Sequence, residues 1–227
     1  MRSFKFIRRL SLPIFSFGKV EIKPNISNIS KYFAVDDCKK IISILRDILN
    51  KKTHYEHIDF ITLHKLTGIE FNVFGTNLTD KTHAQFNHNL TPNFDVIKAV
   101  QISMSLPFMF PPVKYNGKLY IDGGFYHNYP IHLVPEDELS KTIGIYITSN
   151  YNIESQNFID YALSIFKLIL HIYNSKYNDV HENTIKVIID DFSIFNDGIN
   201  KKKKKKLYDI GYNSSHNFIL KKMGDIF

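Results

Sequence analysis

The amino-acid sequence predicts an α/β fold in which helices and strands form layers. Three observations support this prediction. Apolar residues recur at helical spacing between positions 41 and 49, β-branched apolar runs occupy 142–148 and 184–189, and helical and strand patterns alternate along the chain. At 227 residues the chain fits one domain. We expect residues 1–30 to be irregular and residues 31–227 to form that domain.

Two helices are predicted in the first part of the domain. Asp36 or Asp37 is expected to cap a helix that runs to about Asn50 and buries one face. A second, short helix is expected over residues 58–66, with Gly68 as its stop.

Strands and turns are predicted next. Residues 71–74 have the pattern of a strand that leads into a turn at 75–77, and residues 83–87 are a plausible partner strand. Residues 115–118 are typical of a hairpin turn. Residues 119–121 then form a short strand that ends in Asp122-Gly123-Gly124.

A third helix is predicted between these strands. Asp95 is a suitable N-cap, and Val96, Ala99, Val100 and Ile102 would lie on the buried face. The helix must end before Pro107, because the residue before a proline disfavours helical geometry.

The C-terminal part has four further patterns. Residues 142–148 predict a buried strand and residues 184–189 another strand. Residues 158–173 are apolar almost all round, but Asp160, Lys167 and His171 interrupt them, which favours a buried core helix over a membrane helix. A final amphipathic helix is expected through Leu207, Ile210, Tyr212, Phe218 and Leu220.

Charge and cysteine content limit the function classes. The formal net charge is +7, and six lysines form one run at 201–206, for which we predict a solvated helix start or loop. A basic surface attracts phosphate-bearing partners. The single cysteine, Cys38, excludes an internal disulfide. Residues 1–19 are basic and apolar, but Pro13 breaks the apolar stretch and no clean cleavage site follows, so targeting is not favoured.

The segment from Ala99 to Val134 carries the most information. It contains Ser103-Met104-Ser105-Leu106-Pro107, a Phe/Pro-rich turn, Asp122-Gly123-Gly124 and Asn128-Tyr129-Pro130-Ile131 in that order. This order and spacing resembles the patatin-like phospholipase family. The resemblance covers residues 30–150 well and the tail loosely, with 207–220 similar to the closing helix of the family.

The resemblance implies a layered patatin-like sandwich, incomplete at its N-terminal side, and a lipid acyl hydrolase with a Ser-Asp dyad. In that dyad Asp122 is the proton acceptor, and it follows a short strand, at the sheet edge where α/β folds place ligands. Gly123 and Gly124 leave room beside the carboxylate. The plain alternative is that Asp122 caps a turn. Asn128, supported by Pro130, either orders the following loop or is a turn residue.

The nucleophile and the oxyanion loop of the family have no match. No Gly-x-Ser-x-Gly pentapeptide occurs, and Gly123-Gly124 is the only Gly-Gly pair. Ser103 and Ser105 lack the small neighbours that a nucleophile elbow needs. We therefore expect a truncated domain, inactive alone because loss of a nucleophile leaves only residual catalysis. The chain is then either a fragment of a split or interrupted gene, or one half that pairs with a separate chain supplying the nucleophile half.

The expected partner is a lipid or phospholipid. The alternative function is a non-catalytic pseudoenzyme that binds lipid or a protein partner. For either function we expect an intracellular location, in which peripheral contact with an anionic membrane is possible. Nucleic-acid binding through the lysine run has no fold to support it. No cofactor is expected. Asp190 and Asp191, and the pairs His54/His57 and His83/His88, are weak metal candidates without placed partners, so no metal is expected.

Overall fold

The structure of the protein is a computed structural model. The structure describes residue 34, residues 36–148, 181–189 and 200–224, and the single positions Tyr161, Ala162, Ser164, Ile165 and Leu168. The chain divides into two compact units, Met1–Asn128 and Tyr129–Phe227. The predicted domain boundary at residue 31 stays a prediction.

Helices and strands alternate in the described residues, which confirms a mixed α/β fold. The α-helices are α1 (Lys39–Thr53), α2 (Phe60–Thr67), α3 (Val96–Ser103), α4 (Gly124–His127), α5 (Glu136–Leu139) and α6 (Lys201–Gly224). The strands are β1 (Val73–Asn77), β2 (Thr82–Phe86), β3 (Val113–Tyr115), β4 (Lys118–Asp122), β5 (Gly144–Thr148) and β6 (Thr184–Ile188), and a 3₁₀ helix spans Pro130–Leu133.

The first two helices begin differently. The N-cap of α1 is Cys38 and no side chain caps it, so the prediction that Asp36 or Asp37 caps this helix is wrong. The two carboxylates instead accept hydrogen bonds from amides two residues further along the chain, those of Cys38 and Lys39. α2 begins after Asp59, whose carboxylate accepts the Thr62 amide at 2.8 Å. α2 ends at Gly68, which adopts a φ of 65° as predicted.

A four-stranded antiparallel sheet in the order β2-β1-β4-β3 forms the centre of the first unit. Asn116 and Gly117 have φ values of 48° and 75°, which makes the predicted hairpin between β3 and β4 a primed turn. The turn predicted at 75–77 is wrong. These residues belong to β1 because they pair with β2 on one side and with β4 on the other.

α3 packs against β1 and β4 and covers one face of this sheet. Its buried residues are Val96, Ile97, Ala99 and Ile102, which join Phe60, Phe86 and Phe94 in the core. Val100, predicted on the buried face, is only partly buried. α3 ends at Ser103, before Pro107 as expected. The core therefore lies directly beneath the strand that carries Asp122.

The second unit contains the parallel pair β5 and β6, with α6 packed on β6. The hydroxyl groups of Tyr129 and Thr184 lie 2.7 Å apart and form a hydrogen bond. The strand predicted over residues 142–148 is present as β5, but the prediction that it is buried is wrong, because Ile145 and Ile147 are each 60% exposed.

Most of the apolar segment 158–173 lies outside the described residues. Tyr161, Ile165 and Leu168 are helical and exposed, so at these positions the expected buried helix is not observed. No helix in the described part of the chain is long and apolar enough to cross a membrane.

Candidate active site

The backbone around Asp122 is held from two sides. Asp122 is the last residue of β4 and pairs with Gly75 of β1. Its amide donates a hydrogen bond of 3.0 Å to the carbonyl oxygen of Ser105, in the loop after α3. Its carbonyl oxygen accepts one of 2.8 Å from the Thr76 hydroxyl. These contacts fix the main chain of Asp122 at the end of β4 without involving its carboxylate.

Gly123 is required by close packing of two backbones. A Cβ atom on Gly123 would lie 2.6 Å from the carbonyl oxygen of Phe74 and 2.8 Å from its carbonyl carbon. Real Cβ contacts are not this short, and backbone atoms cannot swing away as a flexible side chain can. A side chain here would push the chain after Asp122 off β1.

Gly124 contacts the carboxylate itself. The amide of Gly124 donates a hydrogen bond of 2.7 Å to Oδ1 of Asp122. A Cβ on Gly124 would lie 3.0 Å from the same oxygen atom. The glycine thus supplies a donor and leaves space on that side of the carboxylate.

Burial controls the acidity of the site. Removal of the carboxylate from water raises the pKa of Asp122 to about 6, and the hydrogen bond from the Gly124 amide opposes this rise only partly. No charged side chain among the described residues contributes to the shift. Asp122 is therefore ionised at neutral pH but is a stronger base than an ordinary aspartate.

Ser105 is not arranged as a nucleophile. Ser105 is 1% exposed, and its hydroxyl donates a hydrogen bond of 2.6 Å to the carbonyl oxygen of Gln101. Ser103 is the last residue of α3. The geometry supports a structural role for Ser105, which ties the end of α3 to Asp122 through its own carbonyl oxygen.

The two supporting residues lie in different units. Asn128 is exposed at the end of α4, and its Oδ1 lies 3.4 Å from where a Cβ on Gly124 would be. Pro130 is the first residue of the 3₁₀ helix in the second unit. The loop-ordering role of Asn128 and the supporting role of Pro130 stay predictions.

Sequence reasoning missed Gly75 and Thr76, which it placed in a turn. A Cβ on Gly75 would lie 2.5 Å from Cγ2 of Ile102, so this glycine lets α3 approach β1 closely. Thr76 is buried and donates to the carbonyl oxygen of Asp122. The available signal was a glycine inside an apolar run, which is typical of close backbone approach as well as of a turn.

The histidine pairs considered for metal binding take separate partners. Nδ1 of His57 lies 3.3 Å from Oδ2 of Asp95. The ring of His88 stacks on that of His64, with 3.9 Å between the ring centroids. The rings of His83 and His127 meet edge to face, with 5.5 Å between their centroids. In the described ranges no three His, Cys, Asp or Glu side chains are grouped to hold a metal ion. Asp190 and Asp191 lie outside those ranges.

Comparisons with known proteins identify the family of the chain. Residues 5–135, more than half of the chain, match the family model described as patatin-like phospholipase. An uncharacterized protein of Acanthamoeba polyphaga mimivirus is 30% identical over 203 residues, which cover 83% of this chain and 66% of that protein. A protein of Invertebrate iridescent virus 6, named a probable lipid hydrolase, is 32% identical over 89 residues, 39% of this chain and 29% of the relative.

The chain thus spans less than two thirds of the length of these relatives. Among solved structures, VipD from Legionella pneumophila superposes with a TM-score of 0.45 at 17% sequence identity. The superposition covers 78% of this chain and 34% of that one.

Proposed function

Because the chain belongs to the patatin-like phospholipase family, we propose that it supplies the aspartate of a Ser-Asp dyad that hydrolyses lipid esters. The observation that carries this proposal is the environment of Asp122. Its carboxylate is partly buried at a strand end, accepts the Gly124 amide at 2.7 Å, and has a pKa raised to about 6. The substrate class is a lipid or phospholipid, in keeping with the family.

The proposed chemistry is acyl transfer in two steps. The Asp122 carboxylate takes the proton of a serine hydroxyl as that oxygen bonds to the ester carbonyl carbon, and the proton then passes to the departing alcohol. The resulting acyl-serine ester is hydrolysed when Asp122 takes a proton from water, whose oxygen bonds to the carbonyl carbon. The serine recovers the proton as the fatty acid leaves. A base with a pKa of about 6 is ionised and effective near neutral pH.

The serine of this dyad is proposed to lie outside these 227 residues. They contain no Gly-x-Ser-x-Gly elbow, and the buried Ser105 hydroxyl is already bonded to Gln101. The serine would come from another part of the protein or from a separate chain. We therefore propose that these residues alone do not turn over esters.

The test is an ester hydrolysis assay with a fluorogenic acyl ester and a phospholipid. The chain alone should not exceed the rate without protein. Together with a polypeptide that carries the nucleophile elbow and oxyanion loop of the same protein, it should hydrolyse both. Asp122→Ala should then lower that rate on the order of 10⁴-fold. Turnover by the chain alone that survives Asp122→Ala would contradict the proposal.

A second candidate is non-catalytic binding of lipid or of a protein partner. The lack of an elbow and a glycine-rich oxyanion loop within the 227 residues favours it. The two candidates separate in the combined assay. If the added elbow-bearing polypeptide binds this chain and no ester is hydrolysed, binding is the surviving function. If ester is hydrolysed and the hydrolysis depends on Asp122, the function is catalysis by the Ser-Asp dyad.

A further inference from the structure

The last helix concentrates the positive charge of the protein. α6 carries eight lysines and one acid, Asp209, and six of the lysines form its first six residues. Adjacent like charges repel, and cations at a helix N-terminus oppose the helix dipole. Both effects destabilise α6 and are relieved when a negatively charged surface neutralises the lysines.

One face of α6 is used inside the second unit. α6 packs against β6, and its half-buried residues Leu207, Ile210 and Phe218 recur three to eight positions apart along one side of the helix. The predicted amphipathic helix is therefore right for these three residues. It is wrong for Tyr212 and Leu220, which are exposed.

The opposite face carries an apolar strip, which we call the outer stripe and define as Tyr212, Ile219, Leu220 and Met223. Each of these residues is between 53% and 58% exposed. A spacing of seven residues is close to two helical turns and one of eleven is close to three, so Tyr212, Ile219 and Met223 share one side. Large apolar side chains clustered on a surface mark an interaction site.

Lysines of the run continue the same face. Lys205 lies seven residues and Lys201 eleven residues before Tyr212, so both are on the side of the outer stripe. Lys201, Lys202 and Lys205 are all exposed. The outer face thus begins with cations, continues with an aromatic ring and ends in aliphatic side chains.

We propose that this outer face of α6 is a binding surface for an anionic lipid bilayer. The lysines would contact phosphate-bearing headgroups, Tyr212 would lie at the headgroup level, and Ile219, Leu220 and Met223 would enter the boundary with the acyl chains. A bilayer fits better than nucleic acid because a nucleic-acid backbone offers partners for lysine but none for an exposed aliphatic strip. The inference does not depend on the dyad chemistry proposed for Asp122.

The test is flotation of the chain with phosphatidylcholine vesicles, with and without phosphatidylserine, at low and high salt. The Asp122→Asn chain is used in parallel, so that the result does not depend on ester hydrolysis. We expect binding to the anionic vesicles at low salt, weaker binding at high salt, and little binding to the neutral vesicles.

Two triple variants and one control assign the binding to α6. Lys201→Gln/Lys202→Gln/Lys205→Gln should weaken binding to anionic vesicles about tenfold or more. Tyr212→Ser/Ile219→Ser/Met223→Ser should weaken it with all lysines retained. The control replaces three exposed lysines of the first unit, Lys51, Lys52 and Lys65, by glutamine and removes the same charge. It should bind like the unmodified chain. Circular dichroism checks that each variant is folded.

Three outcomes would overturn the proposal. Equal losses in the α6 lysine variant and the control would mean that net charge alone attracts the chain. Normal binding by the outer-stripe variant would mean that the apolar side chains do not enter the bilayer. Tighter binding to a short DNA duplex than to anionic vesicles, unchanged in the outer-stripe variant, would make α6 a nucleic-acid site.

Discussion

Gly123 and Phe74 lie against each other with no room for a methyl group between them. A Cβ on Gly123 would be 2.6 Å from the Phe74 carbonyl oxygen. Because Phe74 is in β1 and Gly123 follows β4, this contact sets where the chain goes after Asp122. The backbone contact thus links the position of the carboxylate to the packing of the central sheet.

We predict that Gly123→Ala lowers the free energy of unfolding by about 2 kcal/mol or more, since the methyl group must displace backbone atoms. Urea denaturation measures this change. Gly211→Ala is the matched control, because Gly211 lies within α6 with nothing within 4 Å of its Cβ position. Alanine there should be neutral or stabilising. Equal stability of Gly123→Ala and the unmodified chain would show that the two backbones separate easily.

Asp122→Asn should stabilise the protein above pH 6. The folded pKa of about 6 is above the ordinary value of 3.8, so the folded state holds this proton more tightly than the unfolded state. The contribution of Asp122 is therefore lost as pH rises from about 4 to about 6, and a neutral amide avoids that loss. The expected gain at pH 8 is about 2–3 kcal/mol, with little gain at pH 4.

Thermal unfolding of Asp122→Asn over this pH range is the measurement. Asp95→Asn is a control of opposite sign, because the pKa of Asp95 is lowered in the folded state whereas that of Asp122 is raised. Burial alone would raise the pKa of Asp95, but hydrogen bonds from Arg46 and the Lys98 amide outweigh it and hold the pKa below its ordinary value. Asp95→Asn should therefore lose stability at neutral pH, and lose less in acid. A pH-independent gain for Asp122→Asn would contradict a raised pKa.

Asp95 joins two helices. Its carboxylate caps α3 through the Lys98 amide at 2.7 Å and accepts both Arg46 guanidinium nitrogens, from α1, at 3.1 Å. Asp95→Ala should cost about 2 kcal/mol of unfolding free energy, from the lost cap and the lost ion pair. A double-mutant cycle with Arg46→Ala separates the pair, for which we expect a coupling of about 1 kcal/mol. Strict additivity of the two substitutions would show that the ion pair contributes nothing.

Ser105 should not react with a fluorophosphonate probe. Its hydroxyl is buried and its proton is donated to the Gln101 carbonyl oxygen, so it is neither accessible to the probe nor free to react. Ser105→Ala should cost about 1 kcal/mol of stability. Intact-mass spectrometry after probe treatment should find no adduct on the folded chain. An adduct at Ser105 would make this serine a candidate nucleophile and overturn its structural assignment.

Local signals in the sequence were sufficient for the elements nearest the site. Asp95 and Gly68 act at the positions predicted, because capping depends on a side chain and a few neighbouring amides. The hairpin at Asn116 and Gly117 was predictable for the same reason, since few residues tolerate positive φ. The order of motifs around Asp122 also indicated the family that the comparisons establish.

Other features depended on partners distant in sequence. Gly75 and Thr76 were predicted as a turn, and only pairing with β2 and β4 made them a strand. The exposure of Ile145 and Tyr212 could not be predicted, because an apolar residue has the same local pattern whether or not another element covers it.

By itself, the sequence determined the family, the caps at Asp95 and Gly68, the hairpin and the identity of Asp122 as the residue to examine. Tertiary structure alone decided how far that carboxylate is removed from water, and it fixed the main chain of Asp122 through the Ser105 carbonyl and the Thr76 hydroxyl. The physical reason is that caps and turns are set by interactions over a few residues. The pKa of a carboxylate, by contrast, is set by its removal from water, to which residues from distant parts of the chain contribute.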